Sequence, residues 1–150
     1  MRADIILADS VQAADGKLHA LGIGWGVLTV GGLPARHDRI GLGLVVRLEP
    51  ADGARHTLAV RLRGPDGRDR ALGKAPDGNE LRAIQIPFEA RGSGERTVTI
   101  ALNLDGLVFD AEGAHTLGVE VGGLALGEAT FVVHRSSGAA APDHGTGIYL

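Results

Sequence analysis

The side chains of this 150-residue chain that could do chemistry are a few aspartates near its start, six histidines, and a glycine-rich stretch around its one tryptophan. Asp4, Asp9 and Asp15 have the side chain of a metal ligand or a general acid or base. Asp15, however, precedes Gly16, and an aspartate in that setting bonds local backbone amides in a turn. On an alternating strand, Asp9 shares a face with Ile5, Leu7 and Val11. A carboxylate on an apolar face needs partners, which Ser10, Lys17 or a backbone amide would supply. His19, His37, His56, His115, His134 and His144 never fall as H-x-H or H-E-x-x-H, so no local metal pair is written in the sequence. His19, between Leu18 and Ala20, reads as an exposed polar position on a strand face. Ser10, His19 and Asp9 or Asp15 contain the residue types of a nucleophilic triad. No G-x-S-x-G elbow or helix terminus accompanies them to build an oxyanion site.

Gly22, Gly24 and Gly26 have the glycine density of a phosphate-binding loop, but such a loop needs a helix N-terminus after it. Here Val27-Leu28-Thr29-Val30 follows, a strand-forming run. Trp25 within this stretch reads as a core or inter-sheet anchor, because one large ring among aliphatics buries much area. Arg39, Arg47, Arg61 and Arg63 are expected on one exposed face of a central hairpin, solvated and partnered by Glu49 and nearby acids. Arginines so placed can also recognise carboxylates or phosphates. On these grounds no catalytic, cofactor-binding or metal-ligating residue is assigned.

The elements that would position such groups are strands. Ile40, Leu42, Leu44, Val46 and Leu48 alternate with more polar or smaller residues, the period of two that gives a strand one apolar face. After a turn at Asp52-Gly53, Leu58, Val60 and Leu62 continue the pattern, and the two runs are expected to pair as an antiparallel hairpin. Pro65-Asp66-Gly67 stops the second run, and a loop is expected to about Asn79. Three further sets keep the same spacing: Ile84, Ile86 and Phe88; Val98, Ile100, Leu102 and Leu104; Leu117, Val119 and Val121. Gly122-Gly123 predicts a primed two-residue turn into a last strand that ends near His134. At the front, residues 4–11 and 17–30 read as two more strands joined by a turn at Ala13-Ala14-Asp15-Gly16. One-faced sheets are stable only when paired face to face. The expectation is an all-β, two-sheet antiparallel sandwich of about eight strands, with jelly-roll connections as one option, over residues 1–134. Residues 135–150 read as a Gly/Ala/Ser-rich tail with an apolar terminus, Ile148-Tyr149-Leu150.

Composition narrows the function classes. A chain of this length buries about 70% of its extended surface on folding and needs no staple. The absence of cysteine removes disulfides, thiolate zinc sites and thiol nucleophiles. A formal charge of −3, with one Trp, one Tyr and three Phe, argues against nucleic-acid binding. No run approaches the ~20 apolar residues of a membrane helix, and the apolar run Ile5 to Ala8 is too short for a secretory signal, so a cytoplasmic protein is expected. Few lysines beside abundant alanine, glycine and arginine match the coding bias of a GC-rich bacterial genome.

The stretch Ala8-Asp9-Ser10-Val11-Gln12-Ala13-Ala14-Asp15-Gly16-Lys17-Leu18, continued by Leu21-Gly22-Ile23-Gly24-Trp25, carries a resemblance. So do Asn103-Leu104, the segment Gly113 to Leu117, and the hairpin at Gly122-Gly123. Together, over residues 3–134, these resemble a family of small bacterial proteins of actinobacterial type known only as a domain of unknown function. The resemblance implies a β-sandwich and no activity, cofactor or site. His115 stands where it leads one to expect an aromatic residue.

The functional expectation is therefore a non-enzymatic binding or assembly module, with no cofactor. Its contacts, to a protein partner or a second copy, would run through sheet edges, the arginine face or the C-terminal tail. The alternative is a jelly-roll small-ligand or metal-binding protein, enzymatic or not, with a polar site assembled across the sheets from Asp9, His19 or His134.

Overall fold

A computed structural model of the chain describes residues 1–137, which form strands and no helix. The longest runs of alternation become the central strands. β1 (Arg2–Ala8), β5 (Ala35–Leu48) and β11 (Arg96–Phe109) form one sheet in the order β1-β5-β11. β4 (Val27–Val30), β6 (Arg55–Arg63), β10 (Ile84–Glu89), β12 (Gly113–Val121) and β13 (Leu124–Arg135) form a second, in the order β10-β6-β12-β13-β4. The short β7 (Asp69–Arg70) also pairs with β6. Two ribbons complete the fold: β2 (Ser10–Ala14) with β3 (Lys17–Leu21), and β8 (Gly73–Lys74) with β9 (Glu80–Leu81).

The apolar faces named from alternation are the core. Ile40, Leu42, Leu44, Val46 and Leu48 of β5 are buried, and with Leu58, Val60 and Leu62 of β6 and Leu117, Val119 and Val121 of β12 they form one cluster. Burial of each such side chain stabilises the fold by roughly 1.5–3 kcal/mol. The two sheets draw together along one side. At Gly127 of β13, a Cβ would stand 3.0 Å from the Ile5 side chain of β1.

The runs 40–48 and 58–62 do not pair as a hairpin. β5 pairs with β1 and β11, whereas β6 pairs with β10, β12 and β7. The link between them turns a corner from one sheet to the other, so the two apolar faces meet across the core instead of lying side by side on one sheet. Arg96 holds this corner. Its guanidinium donates to the carbonyls of Glu49 at 2.7 Å, Gly53 at 2.9 Å, Asp52 at 3.2 Å and Ala90 at 3.3 Å.

Three other expectations change. The run 17–30 is two strands, because residues 22–26 leave the extended path between β3 and β4. The second of these joins β13 in parallel, Val27 to Val132 through Val30 to Arg135, so the sheets are not wholly antiparallel. The loop expected to about Asn79 contains β7 and β8, and is tacked down by buried Leu72, whose N–H donates to Leu81 carbonyl at 2.7 Å. The Gly122-Gly123 turn stands as read. Gly122 and Gly123 both have positive φ, 58° and 83°, between the paired Val121 and Leu124. The front turn is tighter than expected: Asp15 and Gly16 lie at 52° and 69°, while Ala13 and Ala14 pair within β2, and the strand expected over 4–11 divides at Asp9 into β1 and β2. Arg135, placed in the tail from sequence, is the last residue of β13, and the remaining tail from 138 onward lies outside the described residues.

Candidate functional site

The residues singled out for chemistry do not converge. Asp9 does not continue the apolar face of β1. It sits exposed at the junction of β1 and β2, with its N–H donated to Leu21 carbonyl at 2.9 Å. The chain bends there, which breaks the period of two that would have turned its side chain inward. Gly22 makes room for it, since a Cβ at Gly22 would stand within 3.0 Å of the Asp9 carboxylate and Cβ. His19 is exposed on β3, and His134 is exposed on β13, 3.9 Å from Glu112. Among the described residues no three His, Asp or Glu side chains gather as a metal would need. No hydrogen bond there joins Ser10, His19 and Asp9 or Asp15 as a triad.

The arginines do not share one face. Arg39 and Arg47 lie on β5, and Arg61 and Arg63 on β6 in the other sheet, so the failure of the expected hairpin separates them. Each finds an acid: Arg39 with Asp105, Arg47 with Asp4, Arg61 with Asp69 and Arg63 with Glu128. Asp105 is held below the usual carboxylate value by its hydrogen bond from Arg39. These are exposed pairs with little energetic weight each.

A cleft of about 600 Å³ lies under the β7 to β9 region and along the end of β11. It is lined by Arg68, Arg70, Lys74 and Arg82, and equally by Asp66, Asp69, Glu80 and Asp110. The charges answer one another. Arg70 reaches Asp66 at 3.0 Å and Asp110 at 3.3 Å, and Arg82 reaches Glu80 at 2.8 Å. The Arg68 amide first, and the Arg70 side chain second, hold Asp66 below its usual value. A cleft whose cations are matched by its own carboxylates has no surplus charge with which to select an ionic ligand.

His115 is the one fully buried polar side chain among the described residues. Its Nδ1 lies 3.0 Å from Gly113 carbonyl, and its Nε2 has no partner. The ring stacks on Phe131 at 5.8 Å and 15° and meets Phe109 edge-on at 5.1 Å and 85°. Trp25 joins the same group, edge-on to Phe131 at 5.7 Å and 63°. His115 thus occupies an aromatic position in a packed cluster, and Trp25 anchors the loop before β4 against the core as read.

Among the described residues β4 is one of the two terminal strands of the second sheet and pairs only with β13. Val132 N–H donates to Gly26 carbonyl at 2.8 Å and Ser136 N–H to Val30 carbonyl at 3.0 Å. Strand alternation therefore turns the backbone groups of Gly26, Leu28 and Val30 toward β13, and those of Val27 and Thr29 away from it. Beside this edge the surface is apolar. Val27 and Val132, register partners on the outer face, are 58% and 41% exposed, and Leu21 and Ile23, which lead into β4, are 74% and 61% exposed. Sequence reasoning missed this edge because it joined residues 17–30 into one strand. The glycines at 22, 24 and 26 were the signal for a break.

No helix of the described residues is long and apolar enough to cross a membrane. No curated protein matches the chain. Several solved structures are similar to it, two of which follow. An immunoglobulin-like protein from Pseudomonas aeruginosa is 17% identical with a TM-score of 0.42, over 89% of this chain and 95% of its own. The Pseudomonas fluorescens alkylpurine DNA glycosylase AlkC, bound to DNA containing an abasic site analog, is 13% identical with a TM-score of 0.41 over 87% of this chain. This chain spans 30% of the length of that glycosylase. The model of a family of unknown function, DUF6941, matches residues 3–134, the span that holds the Asp9 to Trp25 stretch, Asn103 and both tight hairpins, and the chain belongs to that family.

Proposed function

We propose that this protein is a non-enzymatic binding module, a two-layer β-sandwich that takes an extended segment of a protein partner onto the β4 edge. The observation that carries the reading is the coincidence of an open strand edge with exposed apolar side chains at Leu21, Ile23, Val27 and Val132. Native sheets protect their edges with charge, proline, bulges or cover, because an unpaired row of N–H and C=O groups templates further pairing. β4, Val-Leu-Thr-Val, carries no charge and no proline. In strand addition the backbone bonds give affinity, and alternate side chains give selectivity. An occupant would pair with the backbone of Val27 and Thr29 and lay apolar side chains along Val27 and Val132.

The test is a library of short extended peptides with alternating apolar residues, presented to the intact chain. Binders are expected that slow hydrogen exchange of the Val27 and Thr29 amides and are lost in Val27→Lys, with the strand content checked by circular dichroism. Peptides that bind equally well to Val27→Lys, or no binders at all, would overturn the reading.

A further inference from the structure

We infer that Asp15 is a site of spontaneous covalent modification, where the side chain closes on the backbone of the Asp15-Gly16 turn as a succinimide and reopens as isoaspartate. The chain has five Asp-Gly steps, at Asp15, Asp52, Asp66, Asp77 and Asp105. Glycine after aspartate leaves the attacking amide without a side chain in its way, so all of them share the local chemistry. The fold treats them differently.

Asp52 accepts the Glu49 N–H at 2.8 Å and pairs with the Met1 amine at 3.1 Å, and Gly53 N–H donates to Ala51 carbonyl at 3.2 Å. Asp66 accepts the Arg68 N–H at 3.0 Å and pairs with Arg70 at 3.0 Å, and Gly67 N–H donates to Gly64 carbonyl at 3.0 Å. Asp77 accepts the Asn79 N–H at 3.0 Å and the Asn79 Nδ2 at 2.9 Å, and Gly78 N–H donates to Ala75 carbonyl at 2.9 Å. Asp105 is gripped at both oxygens by Arg39, at 2.6 and 3.0 Å, within β11. Asp15 has none of these restraints. Among the described residues its carboxylate accepts no hydrogen bond and joins no ion pair, and Gly16 N–H has no acceptor, so the local amide bond expected from the sequence is not made. Asp15 is exposed, its φ of 52° lies in the left-handed region that a side chain disfavours, and a Cβ at Gly16 would meet nothing within 4 Å. Both reacting groups are free, with space around them for a ring.

The step balances on water alone. The Gly16 nitrogen attacks Asp15 Cγ in its acid form, the amide proton leaves, and the Cγ–OH bond breaks with release of water. Water then adds to a ring carbonyl. Attack at Cγ restores aspartate, whereas attack at the main-chain carbonyl breaks that C–N bond and leaves the chain running through Cγ. The formula is unchanged and the backbone path is one atom longer. A two-residue turn so lengthened cannot keep Ala14 opposite Lys17, and the ribbon tip opens, while Val11 stays held by Asn103.

Incubation of the full chain in water enriched in oxygen-18 tests this, because each passage through the ring installs a heavy oxygen. Peptide mapping with electron-transfer fragmentation locates the label and the isoaspartate. In the folded protein both are expected at Asp15, about fivefold or more above every other Asp-Gly step, the factor set by one hydrogen bond that must first break. In urea, where the restraints of the fold are gone, all the steps should label at similar rates. Label at Asp15 no greater than at Asp77, or an equal lead for Asp15 in urea, would overturn the inference. Asp15→Asn, which keeps a residue suited to a left-handed φ, should lose ammonia faster than Asp77→Asn, and the reverse order would overturn it too. In the aged fraction the Lys17 amide should exchange faster and the Val11 amide at its native rate; equal exchange at Lys17 would overturn the opening of the ribbon tip.

Discussion

The carboxamide of Asn103 brackets the peptide groups of Val11: its Oδ1 accepts the Val11 N–H at 3.0 Å, and its Nδ2 donates to the Val11 carbonyl at 2.9 Å. One side chain on β11 thereby imitates a neighbouring strand for β2 and fixes the β2–β3 ribbon over the outer face of the β1-β5-β11 sheet. Replacing Asn103 with Leu would leave both Val11 groups unpaired. A loss of about 2–4 kcal/mol is expected from two bonds and their desolvation. Urea unfolding measures it. A loss below 1 kcal/mol would mean that water takes over both bonds.

The ribbon can approach because β5 has glycine beneath it. A Cβ at Gly41 would stand 3.0 Å from the Ser10 backbone, and one at Gly43 would stand 2.7 Å from the Leu18 Cδ2. Backbone gives way less easily than the end of a leucine. Gly41→Ala is therefore expected to loosen the ribbon more than Gly43→Ala, and Leu18→Ala should relieve Gly43→Ala but not Gly41→Ala. Proteolysis at the Asp15-Gly16 turn, with a double-mutant cycle on stability, reports the difference.

His115 fills an aromatic site without satisfying its Nε2. His115→Ala should cost about 3–5 kcal/mol, the range for deleting a large buried ring. His115→Phe, close in shape and free of the unpaired nitrogen, should stay within about 1.5 kcal/mol of the native protein. The same unfolding measurement on both variants decides it, and equal losses would show that the Nδ1 bond to Gly113, rather than the ring, carries the site.

Asp52, Asp66 and Asp105 each titrate below the ordinary carboxyl value of 3.8, held down chiefly by the Glu49 amide, the Arg68 amide and the Arg39 side chain respectively. A carboxyl whose folded pKa is lowered contributes stability that is fully present above its unfolded value and lost as pH falls through its folded value. The urea midpoint should therefore hold above pH 3.8 and decline below it. Asp66→Asn together with Asp105→Asn should shallow that decline. Salt should shallow it as well, since exposed charges are screened.

Periodicity of side chains is a local property, and what depended on it was legible. The period of two in residues 40–48, 58–62 and 98–104 determined which side chains are core. Gly122-Gly123 determined one tight turn and Asp15-Gly16 the place of another, though not its length, because a positive φ is cheap at glycine and tolerable at aspartate. Which strand lies beside which was not. Alternation states that a strand has an apolar face and is silent about its neighbour, so β5 and β6, adjacent in sequence, were free to face each other across the core. That choice carried the rest with it. It put Arg39 and Arg47 on one sheet and Arg61 and Arg63 on the other, brought Asn103 to Val11 across the chain, and left β4 at the end of its sheet. A terminal strand exists only relative to the strands that close its other side, so tertiary pairing alone decided which strands end each sheet.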